Sequence, residues 1–487
     1  MAEINMVSIG IIVVYMAILG AIGWFSRNKV KCTADWCVGS FRIGGIVMGV
    51  AFFATYFSAV IMVGFAGLSA KLGLSTLVIG LWHPVATLLV FAIIAPVLSK
   101  MFKELNAMTY SEFFTLRFKN QAFGTLSSLV IAIFIFPYTI SAIIAMGSAL
   151  SALVGTPFWI GVIASGVIVA IYIFTGGLFS ATLAEFVQGT VMVFVVIGVA
   201  LFSYSMLGGY LPAHQALADI NISLVSFPAF GSSTWVTIIG LTAVMSFGFI
   251  AQPQAVLRYA TICNKLNIKK AMIIAVLGTL IFPLAAYSYG AISNPILRSF
   301  GYNPATMIQD MIIPTFVNVA LPQWLGAVFL VGMLCAATST IDALVHMTAG
   351  TVTKDIVKPV FRKEMTDKGQ LRLMQVLSLV FAIGACVFAI YPQATIVQLA
   401  SYAWTVIASA FFGPLLVAVY SKRADWKSAL GGLIVGFAVA QLWYLYPPIP
   451  LHAFFPGVGA SVLVSFALCR FGKPPQDMVE RLFKPSK

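Results

Sequence analysis

Cys335-Ala336-Ala337-Thr338-Ser339-Thr340-Ile341-Asp342 lies deep within an apolar stretch running from residue 322 to 350. As a helix rising 1.5 Å per residue, such a stretch crosses about 30 Å of hydrocarbon. A carboxylate in that setting costs about 2.5–3.5 kcal/mol on insertion scales, so Asp342, roughly 12 Å from the inner end, needs a partner or a task. The hydroxyls before it fit two uses. They can pack helices together in the membrane, or present oxygen to a hard cation such as Na⁺.

Stretches of the same kind recur along the chain. Of 487 residues, 61% are hydrophobic and 9% charged, against about 25% charged in a soluble domain. A soluble fold is excluded, and disorder and nucleic-acid binding lose their premise. Thirteen spans are predicted, at 4–26, 43–70, 74–99, 122–152, 157–175, 182–207, 234–252, 271–293, 322–350, 373–391, 395–421, 428–447 and 451–469. Each is long enough for a transmembrane helix, and the second, fourth and ninth must tilt, bend or protrude. With the N-terminus outside, every Lys and Arg except Lys71 and Arg298 falls on an inner loop or the tail. That asymmetry predicts a multi-pass protein of the cell membrane with its C-terminus in the cytoplasm. The net charge of +14 then serves topology, with anionic lipid headgroups as its neighbours, and no nucleic-acid partner is implied. Only Glu3 carries charge ahead of the first span, which reads as a retained helix and not a cleaved signal. The six cysteines show neither a disulfide framework nor metal-ligand spacing.

The chain reads as one membrane domain, 1–487. An extra helix at 4–26 precedes two five-span units, 43–207 and 234–421, and two further helices at 428–469 lead to a cytoplasmic tail, 470–487. Tandem units with an odd number of spans enter the membrane from opposite faces, the inverted-repeat arrangement of many secondary transporters. The loops 208–233 and 294–321 are expected to hold short helices, the latter around Ala305 to Asn318, acting as lids or plain connections.

Polar residues inside the spans are few. Glu185 lies just inside the inner end of the sixth span, and no Lys or Arg lies within any predicted span to neutralise it or Asp342. A bound cation or proton is therefore expected in preference to a structural salt bridge; the plain alternative for Glu185 is a carboxylate at an aqueous helix mouth. In the second span, Ala51-Phe52-Phe53-Ala54-Thr55-Tyr56-Phe57-Ser58-Ala59 combines polar, aromatic and β-branched side chains that loosen a helix and free carbonyls. Ala54 and Ser339 lie at equal depth, about 17 Å from the inner ends of their spans. The seventh span ends Phe247-Gly248-Phe249-Ile250-Ala251-Gln252-Pro253-Gln254, where Gly248 and Pro253 predict a break or an ordinary terminus. In the fourth span, Phe136-Pro137-Tyr138-Thr139-Ile140-Ser141 predicts a second polar break facing the same cavity, with Tyr138 touching solute or bonding a neighbouring helix. His83 reads as a packing histidine more readily than a proton relay.

Several of these segments resemble the sodium/solute symporter family. Gly176-Gly177 with Glu185 and Gln188 resembles its Gly-Gly-x₇-Asp-x-x-Gln signature; Gln252-Pro253-Gln254-x-x-x-Arg258-Tyr259 resembles Gln-Pro-His-x-x-x-Arg-Phe; and Ala336 to Thr340 resembles its cation motif. The resemblance implies an all-α leucine-transporter-type core with five-plus-five inverted repeats. It places the carbonyls of Ala54, Phe57 and Ala336 and the hydroxyls of Ser339 and Thr340 around one Na⁺. It further implies that Glu185, where the family has Asp, tunes ion coupling or a second cation position with Ser339 and Asp342. Solute contacts are expected from Thr55, Tyr56, Ser58, Tyr138, Phe249 and Gln252. Tyr56 stands where proline transporters of the family carry Asp, and it and Ile61 replace the polar residues of the sugar transporters. A small organic acid, a monocarboxylate or pantothenate, fits a site without an extra carboxylate.

The expected function is thus Na⁺-driven uptake of a small organic solute by alternating access, with no cofactor and no covalent chemistry. One Na⁺ crossing 100 mV and a tenfold gradient releases about 3.7 kcal/mol, enough for about 500-fold accumulation. The competing readings are proton-coupled uptake of an amino acid such as proline, and a membrane solute sensor. An enzyme would need convergent acid, base or metal ligands, and the four histidines are scattered.

Overall fold

The computed structural model describes residues 10, 13–15, 17–18, 20–21, 32–39, 43–173, 178–262, 264–361 and 364–483. All regular structure among them is helical. Among the described residues, nine helical stretches are long and apolar enough to cross a bilayer, and Gly45–Tyr56, Phe158–Ala170 and Phe454–Leu468 are shorter apolar helices. These fall on the second to thirteenth predicted spans; the first, 4–26, and the Gly176-Gly177 pair lie largely or wholly outside the described residues.

A short helix α1 (Thr33–Val38) precedes the second span, which is broken. α2 (Gly45–Tyr56) stops at Phe57, whose φ of −102° and ψ of 119° are extended. The chain resumes as a π-helical turn, Val60–Phe65, leading into α3 (Ala66–Leu72). Thr55, Tyr56 and Phe57 lose rotamer freedom in a helix, and the Ser58 hydroxyl accepts the Val60 N–H at 3.1 Å, starting the second half.

The third span comprises α4 (Leu77–Leu89) and α5 (Ala95–Leu105), followed by a loop helix α6 (Tyr110–Phe118). α7 (Gln121–Val154) runs unbroken through Pro137, which corrects the predicted break at 136–141. The Ser141 hydroxyl donates to Tyr138 O at 2.7 Å and that of Thr139 to Ile135 O at 3.2 Å. These hydroxyls fold back on their own helix instead of opening it. α8 (Phe158–Ile173), α9 (Leu178–Met206) and the loop helix α10 (Tyr210–Ile220) complete the first half.

The seventh span breaks as the second does. α11 (Ser233–Thr242) passes through π-helical and 3₁₀ turns to Gln252, extended at φ −69° and ψ 128°, before α12 (Pro253–Ala260). Proline pushes the residue before it out of helix and is tolerated at the first position of the next. α13 (Lys265–Ser299), the loop helix α14 (Gln309–Ala320), α15 (Gln323–Thr351), α16 (Asp367–Ala389), α17 (Ile396–Tyr420), α18 (Trp426–Leu445), α19 (Phe454–Leu468) and α20 (Gln476–Leu482) follow.

The two broken spans meet in the bundle interior. Around 323–361, 89% of the most apolar stretch is buried against 22% in 367–389, so α15 is an inner helix and α16 faces outward. α15 packs on α7 and α9, while α13 crosses both halves of the second span. That crossing is close because Gly290 lies where a Cβ would meet Ala66 O at 2.4 Å, the small-residue contact typical of membrane helices.

Candidate cation and solute site

The break in the second span sets the site. Where α2 ends, its last carbonyls lose their intrahelical donors, and Ala54 O instead accepts the Ser339 hydroxyl of α15 at 3.0 Å. The same hydroxyl approaches Ala336 O at 3.2 Å. The Thr340 hydroxyl is fully buried and has no hydrogen-bond partner among the described residues; its neighbour is the Tyr138 hydroxyl, which also faces Ser58. The Ser339 hydroxyl thus joins Ala54 and Ala336, with Thr340 next to it on α15 and Phe57 at the break itself. The donors gathered here are neutral oxygens, the set a weakly held alkali cation prefers.

Beside this junction lies an aromatic box. Tyr56 stacks on Phe249 with centroids 3.7 Å apart, Phe249 on Trp404 at 5.2 Å, and Tyr138 meets Trp404 edge-on at 5.4 Å. A small cavity of about 10 Å³, room for about one water, is walled by Tyr56, Ser58, His83, Tyr138, Met245 and Trp404, among others, so the stacked rings close the box in this structure. The Tyr56 hydroxyl donates to Met245 O at 2.5 Å and lies 2.9 Å from His83 Nδ1, which Ser246 also approaches at 3.2 Å. His83 is therefore a cavity wall as well as a packed residue. Two further expected solute contacts bond to protein groups: Thr55 accepts from Arg258 Nε at 3.2 Å, and Gln252 Nε2 donates to Trp404 O at 3.0 Å.

The carboxylates correct the sequence reading. Glu185 is paired with the Arg258 guanidinium, and both are buried. Arg258 also donates to the Thr182 hydroxyl. Neither a bare carboxylate awaiting a cation nor an aqueous helix mouth describes Glu185. Arg258 lies beyond the predicted end of the seventh span, but the turn at Gln252 and α12 fold it back into the bundle. Asp342 contacts the His346 ring one turn along α15, and the Trp36 ring of α1 covers that histidine at 4.7 Å. Glu185 Oε2 and Asp342 Oδ2 have no hydrogen-bond partner among the described residues.

Sequence reasoning placed Arg258 on an inner loop and did not pair it with Glu185, and it missed Trp404 and the Asp342–His346 contact. The Glu/Arg pair had a signal, one buried acid and one nearby base; Trp404 had none, since it sits unmarked in an apolar span.

On the face opposite the basic loops, α14 ties the broken span to α17. Gln309 Nε2 donates to Gly64 O at 3.2 Å, and Asp310 accepts the Ile396 N–H at 3.0 Å. Burial pushes the Asp310 carboxyl up to about 6, against the opposing pull of that N–H and of Lys71.

Two helices broken near the middle, with helix-end oxygens and an aromatic box where they meet, define a secondary transporter. The chain matches the sodium:solute symporter family over residues 36–436 and belongs to it; it is a multi-pass sodium-coupled symporter of a small solute. It is 27% identical to the osmoregulated proline transporter OpuE of Bacillus subtilis, over 98% of this chain and 96% of that one. It is 25% identical to a sodium/proline symporter of Staphylococcus aureus, over 96% and 93%. Its fold is similar to that of a Na⁺-coupled sialic acid symporter in a substrate-bound outward-open state, with a TM-score of 0.79 at 16% identity over 96% and 99% of the two chains.

Proposed function

We propose that the solute is a compact zwitterion of the proline class, held in the aromatic box with its carboxylate toward a Na⁺ bound by Ala54, Phe57, Ala336, Ser339 and Thr340. The observation that carries this reading is the Ser339–Ala54 contact beside the stacked Tyr56, Phe249 and Trp404. The box presents no carboxylate to a secondary ammonium, but aromatic faces attract a desolvated cation by up to about 2 kcal/mol. Tyr56 in place of an acid is thus compatible with an amino acid, and the curated relatives named above are proline transporters. The absence of that acid also sustains a second reading, in which the solute is a monocarboxylate.

Arg258 neutralises Glu185 in this scheme, so one Na⁺ per solute is the expected stoichiometry. One set of helices rocks against another around the fixed site, with the N-terminus outside and the basic loops in the cytoplasm. The test is uptake by purified protein in liposomes with imposed Na⁺ or pH gradients. Na⁺-driven accumulation of labelled proline, competed poorly by lactate and pantothenate, is expected. Accumulation of lactate in place of proline would select the second reading, and dependence on a pH gradient with indifference to Na⁺ would overturn the cation assignment.

A further inference from the structure

A buried polar triangle ties Tyr15, which lies in the first predicted span, to the cation helix α15. The Tyr15 hydroxyl lies 2.6 Å from Thr338 Oγ1, and Gln188 Nε2 donates to Tyr15 Oη at 3.0 Å and to Thr338 Oγ1 at 2.9 Å. Thr338 Oγ1 in turn donates to Leu334 O at 2.7 Å. Protons can be assigned to all four contacts, with Gln188 Oε1 left without a hydrogen-bond partner among the described residues. Thr338 gives its proton to Leu334 O, so Tyr15 must give its own to Thr338, and the Gln188 amide supplies one N–H to each oxygen. Tyr15 is 5% exposed, Gln188 1% and Thr338 1%, so water does not compete for these bonds and a lost partner leaves a buried polar atom unsatisfied.

The placement of these residues gives the triangle its meaning. Thr338 immediately precedes Ser339, which meets Ala54 O, and Gln188 lies one helical turn from Glu185, which holds Arg258 and through it Thr55 of the broken helix. The rotation of α15 about its axis decides whether the hydroxyls of 339 and 340 or their apolar neighbours face the break. The packing of α15 on α7 and α9 limits that rotation, but apolar contacts alone supply no directional bond to hold one register. A directional triangle fixes it.

We infer that Tyr15, which belongs to neither five-span unit, is a positioning residue for the coupling ion: with Gln188 it sets the rotation of α15 through Thr338, so that Ser339 and Thr340 face Ala54. This rests on the Na⁺ site proposed above. The N-terminal helix is then part of the ion-coupling machinery and not only a membrane anchor.

The test compares Tyr15→Phe, Thr338→Val, Thr338→Ser and Ser339→Ala in liposomes, reading the Na⁺ concentration for half-maximal uptake and, separately, the solute KM at saturating Na⁺. Tyr15→Phe is expected to raise the Na⁺ requirement about fivefold, the effect of losing one buried hydrogen bond, and to leave solute KM at saturating Na⁺ unchanged. Thr338→Val should do the same, Thr338→Ser should restore the wild-type value, and Tyr15→Phe combined with Thr338→Val should be no worse than the single changes. A Tyr15→Phe protein with wild-type Na⁺ dependence, or one whose Na⁺ requirement and solute KM rise together, overturns the positioning role. Ser339→Ala keeps the two ideas separate. If it shifts the Na⁺ requirement while Tyr15→Phe does not, only this inference fails; if it has no effect, the site itself is misassigned.

Discussion

Arg258 and Glu185 show how much one residue's partner decides. Each is buried beyond reach of water, so removing one charge leaves the other uncompensated at a cost of about 3–5 kcal/mol, whereas neutral residues at both positions cost far less. Arg258→Ala and Glu185→Gln are each expected to lower the thermal unfolding temperature in detergent markedly, with Glu185→Gln/Arg258→Gln recovering much of the loss. Additive losses in the double variant would mean the two side chains do not act as a pair. The motifs around both residues were readable in the chain. Their contact was not, because Arg258 stands outside any apolar run and reaches the bilayer interior only after the turn at Gln252.

At the scale of elements, the break in the second span was legible, that in the seventh was one of two open readings, and the break expected in the fourth was not there. Thr55, Tyr56 and Phe57 in one span lose rotamer freedom in a helix, and in another Pro253 pushes Gln252 out of helical conformation. Pro137 does not stop α7, whose hydroxyls bond their own preceding turn. The loop helix α14 bears on the site through Asp310, which caps the start of α17 from a buried position. Its carboxyl, at about 6, lies above the ordinary 3.8. The folded state therefore favours the protonated form. The stability it contributes is complete below about 3.8 and is lost as pH rises through about 6. Between pH 4 and 7 the wild-type unfolding temperature should fall by an increment that Asp310→Asn does not show. Parallel pH profiles for the two proteins would mean that Asp310 is effectively solvated.

For the whole molecule, coupling means that Na⁺ and solute each bind better in the presence of the other, by the same factor. Isothermal titration should show proline affinity rising with Na⁺ and Na⁺ affinity rising with proline, with Ser339→Ala weakening both effects together. A solute affinity indifferent to Na⁺ would leave the junction of α2 and α15 without a role in transport.

Composition and hydropathy were enough to establish a membrane-spanning helical bundle, because hydrocarbon leaves a backbone few other ways to pair its polar groups. The run of polar, aromatic and β-branched residues also located the break at 55–58 and singled out the hydroxyls at 339–340 as candidates for a cation site. Which of them face each other depended on helix rotation and on chain that folds back after a break. So did the Glu185–Arg258 pair, the Trp404 wall and the Tyr15–Gln188–Thr338 triangle, whose members are separated by up to hundreds of residues and carry no local pattern that links them.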